Sequence, residues 1–258
     1  IEGVNVSLEV LVYDTHSGKQ LLAKRYKAGE ESLRKMAHTV SNDVLFALTG
    51  KKGPFTSKLA FVSDRTGRKE VYVSDYDGSN PIKVTSRFSH AMAPAWSPDG
   101  KKLVFSAVTK NAKNVRNHNL FEYDLPTGKI TMLSNRQGIN SGAVFAPNGK
   151  QLALTMSFPG NAEIFLMDPA SKVVQRITNS FGLDVDPSWS PDGKHIAFVS
   201  DRSGRPMVYK MEASGANVQR LTLRGNCRRV VQLPVEIRID RPTGQVDEPA
   251  LQVRIDQL

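Results

Sequence analysis

The hexapeptide W-S-P-D-G-K at 96–101 returns at 189–194, and a close copy, F-A-P-N-G-K, stands between them at 145–150. In such a segment proline presets φ at the second position of a turn, Asp or Asn suits the third position, and glycine accepts the positive φ at the fourth. Each copy follows one apolar stretch and precedes another. The pattern predicts that every copy is the tight turn of a β-hairpin.

The rest of the unit recurs as well. A predicted third strand (70–74, 119–123, 163–167, 206–210) and a predicted fourth strand (82–85, 130–133, 174–178, 219–222) accompany the hairpins. The aromatic residues Trp96, Phe145 and Trp189 lie 49 and 44 residues apart, and S-D-R-T-G at 63–67 returns as S-D-R-S-G at 200–204, 137 residues later. Four short strands in a unit of about 40–50 residues are typical of β-propeller blades. A two-sheet β-sandwich is the alternative, but it does not require identical turns in phase.

The sequence therefore predicts a mainly β protein with a partial β-propeller of about three and a half four-stranded blades. Residues 59–85 supply strands two to four of a blade and lack its first strand. An open arc leaves two unpaired strand edges, which favour association with another chain.

Residues 1–58 have a different pattern. Two predicted strands, 4–13 and 20–26, flank a turn, and a helix follows with Gly50 as its C-terminal cap. The apolar residues at helical spacing are Leu33, Met36 or Ala37, Val40, Val44 and Leu48. This hairpin plus helix is predicted to be the end of a small α/β domain that precedes the propeller.

Three stretches in order carry a family resemblance. After the hairpin come R-K-M-A-H-T-V-S-N-D-V-L-F-A-L-T-G-K-K-G-P-F at 34–55, L-A-F-V-S at 59–63 and V-Y-V-S-D-Y-D-G at 71–78. Together with W-S-P-D-G-K this combination resembles the TolB family, the periplasmic β-propeller proteins of the Tol–Pal system, from residue 1 to about 224. The blade turn alone is weak evidence, since many propellers contain it.

The resemblance implies an α/β domain joined to a six-bladed propeller, with no enzyme activity and no cofactor. It implies a periplasmic scaffold that binds the peptidoglycan-associated lipoprotein Pal at one mouth of the propeller and TolA through the N-terminal region. Such a protein is peripheral to the outer membrane through Pal, and it supports outer-membrane integrity and cell division. By the same comparison, the TolA-binding extremity is missing from this sequence.

Three domain segments are predicted: 1–53 as the end of the α/β domain, 54–224 as the blades, and 225–258 as a divergent tail. From Thr222 the repeat predicts an aromatic residue at 233 and Pro-Asp-Gly at 235–237, where Leu233 and Val235-Glu-Ile237 stand instead. The tail alternates well enough for two strands, 235–239 and 251–255. An altered reading frame, a fusion and a divergent end all stay open as its origin.

Strand direction places the candidate partner-binding residues. The crossovers 86–94, 135–143 and 179–187 lead into the innermost strands and are predicted to ring one mouth of the channel. By position they are similar to the crossovers through which TolB-family propellers contact Pal. The candidate residues there are Arg87, His90, Met92, Arg136, Asn140, Ser141, Asp184 and Asp186. Asp184 and Asp186 would share one side of an extended strand, but a rim carboxylate pair is usually just solvated, so no metal site is predicted.

Composition excludes several other classes of function. The net charge is +10, yet the basic residues are scattered with no aromatic interleaving, so no nucleic-acid partner is predicted. The single cysteine excludes an internal disulfide and multi-cysteine zinc sites. Two alternatives stay open: a propeller fragment of a prolyl-oligopeptidase-like peptidase, and a generic glycan-binding propeller. The first requires a G-x-S-x-G nucleophile elbow, which the sequence lacks.

Overall fold

The structure is a computed structural model that describes residues 5–110 and 114–222. The described residues form two compact units, one of residues 5–59 with 74–81 and the other of residues 60–73 with 82–222. The tail predicted at 225–258, with its two strands, lies outside the described residues. The domain boundaries after residues 53 and 224 stay predictions.

The first unit begins with an antiparallel hairpin, as predicted. β1 (Asn5–Tyr13) pairs along its length with β2 (Gln20–Gly29), which runs three residues beyond its predicted end. In the turn, Asp14 accepts hydrogen bonds from the N–H groups of His16 and Ser17 at 2.8 and 3.0 Å. These donors hold the pKa of the Asp14 carboxyl below its ordinary value, because they stabilise its charged form.

The predicted helix follows as α1 (Leu33–Thr49). It ends at Gly50, whose φ of +70° is left-handed and whose N–H donates to the carbonyl oxygen of Phe46 at 2.8 Å. Glycine is favoured there because it has no Cβ to strain the left-handed conformation. The apolar stripe is shorter than predicted, since Leu48 is 58% exposed.

Asp43 joins the helix to the hairpin. Its carboxylate accepts hydrogen bonds from the Lys24 ammonium and the Tyr26 hydroxyl, both at 2.7 Å. Burial, reinforced by this carboxylate, raises the pKa of Tyr26 to about 12.

Within residues 58–110 and 114–222, four antiparallel sheets, here called blades 1 to 4, follow in chain order. Blade 1 has β3 (Lys58–Ser63), β4 (Glu70–Asp75) and β5 (Ile82–Lys83). Blade 2 has β6 (His90–Trp96), β7 (Lys102–Lys110), β8 (Arg116–Asp124) and β9 (Lys129–Ser134). Blade 3 has β10 (Asn140–Phe145), β11 (Leu152–Met156), β12 (Glu163–Met167) and β13 (Val174–Arg176), and blade 4 has β14 (Asp184–Trp189), β15 (His195–Ser200), β16 (Met207–Glu212) and β17 (Gln219–Arg220). Consecutive strands are neighbours in every sheet. Among the described residues, blade 1 has three strands, and they correspond to strands two to four of the other blades.

The hairpin of β7 and β8 is longer than those of the other blades. These two strands stay paired as far as Lys110 and Arg116. Polar residues at these positions do not end the strands, because the outer part of a long hairpin can be solvated on both faces.

The repeated hexapeptide forms the hairpin turn that its sequence predicts. In blade 2 the Gly100 N–H donates to the Ser97 carbonyl at 2.9 Å, and the Ser97 hydroxyl donates to the Asp99 carboxylate at 2.6 Å. Ser190 and Asp192 repeat the side-chain bond at 2.6 Å in blade 4. The hydroxyl is therefore part of the turn, in addition to proline and glycine.

Apolar side chains join neighbouring blades face to face. Val71 and Val73 of blade 1 pack with Phe105 and Phe121 of blade 2 in one buried cluster. A second cluster joins blades 2, 3 and 4 and includes Val104, Leu154 and Phe198. Burial of these side chains is the main favourable term that holds successive sheets together.

Candidate functional site

The starts of β6, β10 and β14, with the connections before them, form the candidate site and are called the rim. The predicted crossovers are shorter than expected, because these strands begin at His90, Asn140 and Asp184. Only Arg87 and Arg136 of the eight candidate residues lie in connections. The other six lie within innermost strands, where strand pairing fixes five of them and Asp186 lies in an irregular part of β14.

Each rim strand contains a bulge at the same place. The pairing register shifts between Met92 and Ala95 in blade 2, and the equivalent shifts occur in blades 3 and 4. The residue three before each aromatic is left-handed: Ala93 has φ of +51°, Gly142 +63° and Asp186 +52°. A bulge re-aims the adjacent side chains. Ala and Asp at positive φ are strained, and such residues are concentrated at functional sites.

Asn140 is buried, and its side chain forms hydrogen bonds with the connection between β9 and β10 and with the strands beside it. Its side-chain oxygen accepts from the Ser134 hydroxyl at 2.7 Å, and its amide donates to the carbonyl oxygens of His118 and Arg136, both at 2.7 Å. Predicted as a residue that faces a partner, Asn140 instead positions the neighbouring rim residues.

Asp184 is buried as well, and its carboxylate pairs with the Arg202 guanidinium at 2.6 Å. Burial raises the pKa of the Asp184 carboxyl, although its contacts with Arg202 oppose the shift. The expectation that Asp184 is a solvated rim carboxylate is therefore wrong, because its side chain is buried and paired with Arg202.

The remaining candidates offer surface to a partner in different degrees. Arg87 and His90 are exposed, whereas Met92, Arg136, Ser141 and Asp186 are half-buried. The backbone N–H of Asp186 donates to the Thr155 hydroxyl at 3.1 Å, which ties blade 4 to blade 3 beside Gly142.

Sequence reasoning missed an apolar component of the rim. Phe181 is 89% exposed, and Ile139 and Leu183 are also exposed. Phe158, in the connection between β11 and β12, is exposed next to the rim residue Arg136. The Arg136 guanidinium lies 5.7 Å from the centroid of the Phe158 ring, so a cation and an aromatic face are presented together. The signal was present in the sequence, because Phe181-Gly-Leu183 and Gly138-Ile139 place apolar residues where a crossover ordinarily has polar ones.

His38 of α1 packs within the first unit rather than forming part of the rim. His38 lies edge-on to Tyr76 with centroids 5.0 Å apart and is 3.7 Å from the Asp77 carboxylate. Within residues 5–110 and 114–222, no group of three or more His, Cys, Asp or Glu side chains could hold a metal ion. No helix among the described residues is long and apolar enough to cross a membrane.

Comparison with known proteins matches the propeller to one family. Residues 46–235 match the family described as TolB beta propeller domain. The Protein TolB homolog of Chlorobium chlorochromatii is 41% identical over 176 residues, which are 67% of this chain and 38% of that protein. The Tol-Pal system protein TolB of Desulfosudis oleivorans is 36% identical over 176 residues, 68% of this chain and 39% of that protein. The matched part thus spans about two fifths of these relatives' length.

A solved structure agrees with this assignment. The crystal structure of TolB from Acinetobacter baumannii superposes with a TM-score of 0.74 at 32% identity, covering 85% of this chain and 55% of that chain. This likeness confirms the predicted mainly β propeller architecture. The sheets, the repeated turns and the matched relatives agree, and the chain belongs to the TolB β-propeller family.

Proposed function

We propose that this chain is a TolB-type periplasmic scaffold of the Tol–Pal system that binds Pal through the rim and performs no catalysis. The proposal is supported by relatives named Tol-Pal system protein TolB in Desulfosudis oleivorans and Geobacter sulfurreducens. In this role the protein acts with Pal, is peripheral to the outer membrane through Pal, and supports outer-membrane integrity and cell division; TolA would bind through an N-terminal region that this sequence does not include.

The surface chemistry of the rim carries the proposal. Exposed aromatic and aliphatic side chains, Phe181 above all, lie on the same edge as the cationic Arg87 and Arg136. Protein–protein interfaces combine an apolar centre with arginines and a polar margin, and aromatic and arginine residues contribute most of the binding energy. An exposed apolar patch of this kind favours a docking surface over a reaction centre.

The buried contacts beneath the rim favour a docking surface that itself changes little in shape when a partner binds. Asn140 and the Asp184–Arg202 pair hold the strand starts in one conformation. A rigid surface loses less conformational entropy on association than a mobile loop does. The partner surface is therefore expected to be apolar at its centre and acidic where it meets Arg87 and Arg136.

The test is calorimetric titration of the purified chain with the soluble domain of Pal. Replacing Phe181 with Ala should weaken binding about tenfold or more, as expected for an exposed aromatic anchor. Val173→Ala is the matched control, because Val173 is an exposed apolar residue in the turn before β13, at the opposite edge of blade 3. A folded chain that does not bind Pal, or equal losses in the two variants, would contradict the proposal.

A further inference from the structure

The loops between the second and third strands lie on the same side of the blades as the rim. Neighbouring strands are antiparallel, so the second strand ends and the third begins where the innermost strand starts. Backbone contacts agree, because the Ala91 N–H donates to the Lys69 carbonyl at 2.7 Å and the Gly138 N–H donates to the Asn117 side-chain oxygen at 2.8 Å. Residues 64–69, 157–162 and 201–206, with the hairpin end formed by Lys110 and Arg116, are here called the rim-side loops.

Exposed cations are concentrated on this side. The rim contributes Arg87, which is exposed, and Arg136, which is half-buried. The rim-side loops contribute a larger set of exposed cations: Arg65, Arg68, Lys69, Lys110, Arg116 and Arg205. None of these side chains forms an ion pair with another residue in the ranges 5–110 and 114–222.

Most carboxylates on the rim side are engaged within the fold. The Asp201 carboxylate accepts a hydrogen bond from the backbone N–H of Leu183 at 2.6 Å. Three others are buried in ion pairs: Glu70 with Lys83, Glu163 with Arg176, and Asp184 with Arg202. Among the described residues of this side, only Asp64 is an exposed acidic residue. The rim side therefore presents a net positive charge to solvent.

The opposite side of blades 2 to 4 has no such excess among the described residues. Its hairpin turns contain lysines and acidic residues in equal number: Lys101, Lys129, Lys150, Lys172 and Lys194 against Asp99, Asp124, Asp168, Asp192 and Glu212. Cations that are scattered along the sequence are thus gathered on one side by the fold. A face with one sign of charge attracts a partner of the opposite sign.

Several arginines of the rim-side loops are not oriented for one particular carboxylate. The Arg202 guanidinium, in contrast, is held by the Asp184 carboxylate at 2.6 Å. Arg68, Arg116 and Arg205 form no hydrogen bond or ion pair within the described part of the chain. Recognition of a single carboxylate favours a guanidinium that is fixed in place. Attraction to a surface of many anionic groups requires only that the charge lie near that surface.

Aromatic side chains accompany the cations. The rim-side loop of blade 3 contains no charged residue and exposes Phe158, whose ring centroid lies 5.7 Å from the Arg136 guanidinium. Phe181 of the rim is exposed on the same side. Aromatic rings and long cationic side chains are the groups that occupy the headgroup level of a bilayer.

We propose that the rim side binds the surface of an anionic phospholipid bilayer, with the cations of the rim-side loops among the headgroup phosphates and Phe158 at the headgroup level. A bilayer fits these observations better than an acidic protein does, because it presents negative charge at every lateral position. It can therefore contact the loops of several blades without a matched pattern of carboxylates. The inference goes beyond the proposed function, since it needs no Pal and is tested on cations outside the rim.

The test is flotation of the intact chain with vesicles of equal parts phosphatidylglycerol and phosphatidylcholine in about 0.1 M salt. Pure phosphatidylcholine vesicles are the neutral surface, and the chain should float with the anionic vesicles only. The combined variant Arg68→Gln, Arg116→Gln and Arg205→Gln should lower the partition coefficient about a hundredfold, since each cation near an anionic surface contributes about fivefold.

The matched control is the combined variant Lys101→Gln, Lys150→Gln and Lys194→Gln, which removes the same charge from exposed residues of the opposite side. It should change the partition coefficient about twofold or less. The length of the blade strands separates these lysines from the bilayer, and charges are largely screened beyond about 10 Å at this salt concentration.

Several outcomes would overturn the inference. No flotation with the anionic vesicles, equal partition onto the two kinds of vesicle, or equal losses in the two combined variants would each do so. Tighter binding to soluble polyglutamate than to vesicles of the same total charge would identify an acidic protein as the occupant and would overturn it as well. A chain that floats with the anionic vesicles yet does not bind the soluble domain of Pal would support this inference and contradict the proposed function alone.

Discussion

The hydroxyl of Thr178 accepts a hydrogen bond from the backbone N–H of Ile164 at 2.9 Å, across a separation of 14 residues. Thr85 and Val71 repeat this bond at 2.9 Å in blade 1, and Thr222 and Val208 repeat it at 3.0 Å in blade 4. The threonine follows the fourth strand, and the N–H belongs to the start of the third. The hydroxyl thus continues the strand pairing where the backbone of the fourth strand turns away.

In blade 3 this bond belongs to a larger buried network. The Thr178 hydroxyl donates to the Glu163 carboxylate at 2.5 Å, and Glu163 also pairs with Arg176 at 2.7 Å. Blade 2 has Ser134 in place of the threonine, and its hydroxyl donates to the side-chain oxygen of Asn140, the first residue of β10. A hydroxyl at or just after the end of the fourth strand is therefore hydrogen-bonded in all four blades.

We expect Thr178→Val to lower the free energy of unfolding by about 2–3 kcal/mol, because it leaves the buried N–H of Ile164 without an acceptor and removes one of the donors to the buried Glu163 carboxylate. Urea denaturation followed by fluorescence measures the change. Thr131→Val is the control, since Thr131 lies in β9 and its hydroxyl has no hydrogen bond among the described residues. Its effect should stay within about 0.5 kcal/mol, and equal losses in both variants would contradict the role of the hydroxyl.

The turn carboxylates give the protein a specific acid sensitivity. The pKa of Asp99 is held below its ordinary value by hydrogen bonds from the Ser97 hydroxyl and the Lys101 N–H, and the pKa of Asp192 is lowered by the equivalent donors. A depressed folded-state pKa means that the group contributes stability above its unfolded pKa, and the contribution is lost as pH falls through the folded value.

Replacing both Asp99 and Asp192 with Asn should therefore make the loss of stability on acidification shallower below about pH 4, the ordinary pKa of an aspartate. Blade 3 already contains Asn148, whose side chain accepts from the Lys150 N–H at 2.9 Å, so the substitution preserves the turn. Urea midpoints measured from pH 7 to pH 3 test this. Parallel pH profiles for the variant and the parent protein would show that these carboxylates are not responsible.

The repeated turns made most of the propeller predictable. Proline, Asp or Asn and glycine at fixed positions determine a turn locally, and the spacing between turns then places the strands. The same local logic placed α1 and its cap at Gly50. These features depend on residues that are close in sequence, so a single sequence contains the necessary information.

The rim was harder to predict, because its geometry depends on neighbouring blades. The bulges that place Ala93 and Asp186 at positive φ have no common residue type. Asn140 and Asp184 look like surface residues in the sequence, yet partners from preceding or following elements bury them. The exposure of Phe181 and Leu48 likewise depends on which elements pack against them, and a periodic pattern of apolar residues does not predict this packing.

The indole N–H groups of Trp96 and Trp189 are buried and have no acceptor among the described residues. Blade 3 has Phe145 at the equivalent position. We expect Trp189→Phe to cost less than about 1.5 kcal/mol, since the lost volume is partly offset by removal of an unpaired donor. Trp189→Ala should cost about 3–5 kcal/mol. Calorimetric or urea unfolding measures both, and a Phe variant as unstable as the Ala variant would indicate an acceptor for the indole.

Gly142 is expected to be intolerant of a side chain for two separable reasons. Its φ is +63°, and a Cβ added there would lie 3.1 Å from a carboxylate oxygen of Asp186. Gly128 has nearly the same φ, +68°, but the nearest atom to its added Cβ is 3.9 Å away. Gly128→Ala should therefore cost only the left-handed conformation, about 1–2 kcal/mol, whereas Gly142→Ala should cost about 1 kcal/mol more through crowding.

A double-mutant cycle separates the crowding from the backbone strain. In the Asp186→Gly background the carboxylate is absent, so the cost of Gly142→Ala should fall to that of Gly128→Ala. Urea denaturation of the four proteins gives the coupling between the rim strands of blades 3 and 4. If the cost of Gly142→Ala were the same with and without the Asp186 side chain, the two bulges would be independent, and the close approach of Asp186 to Gly142 would not constrain the rim.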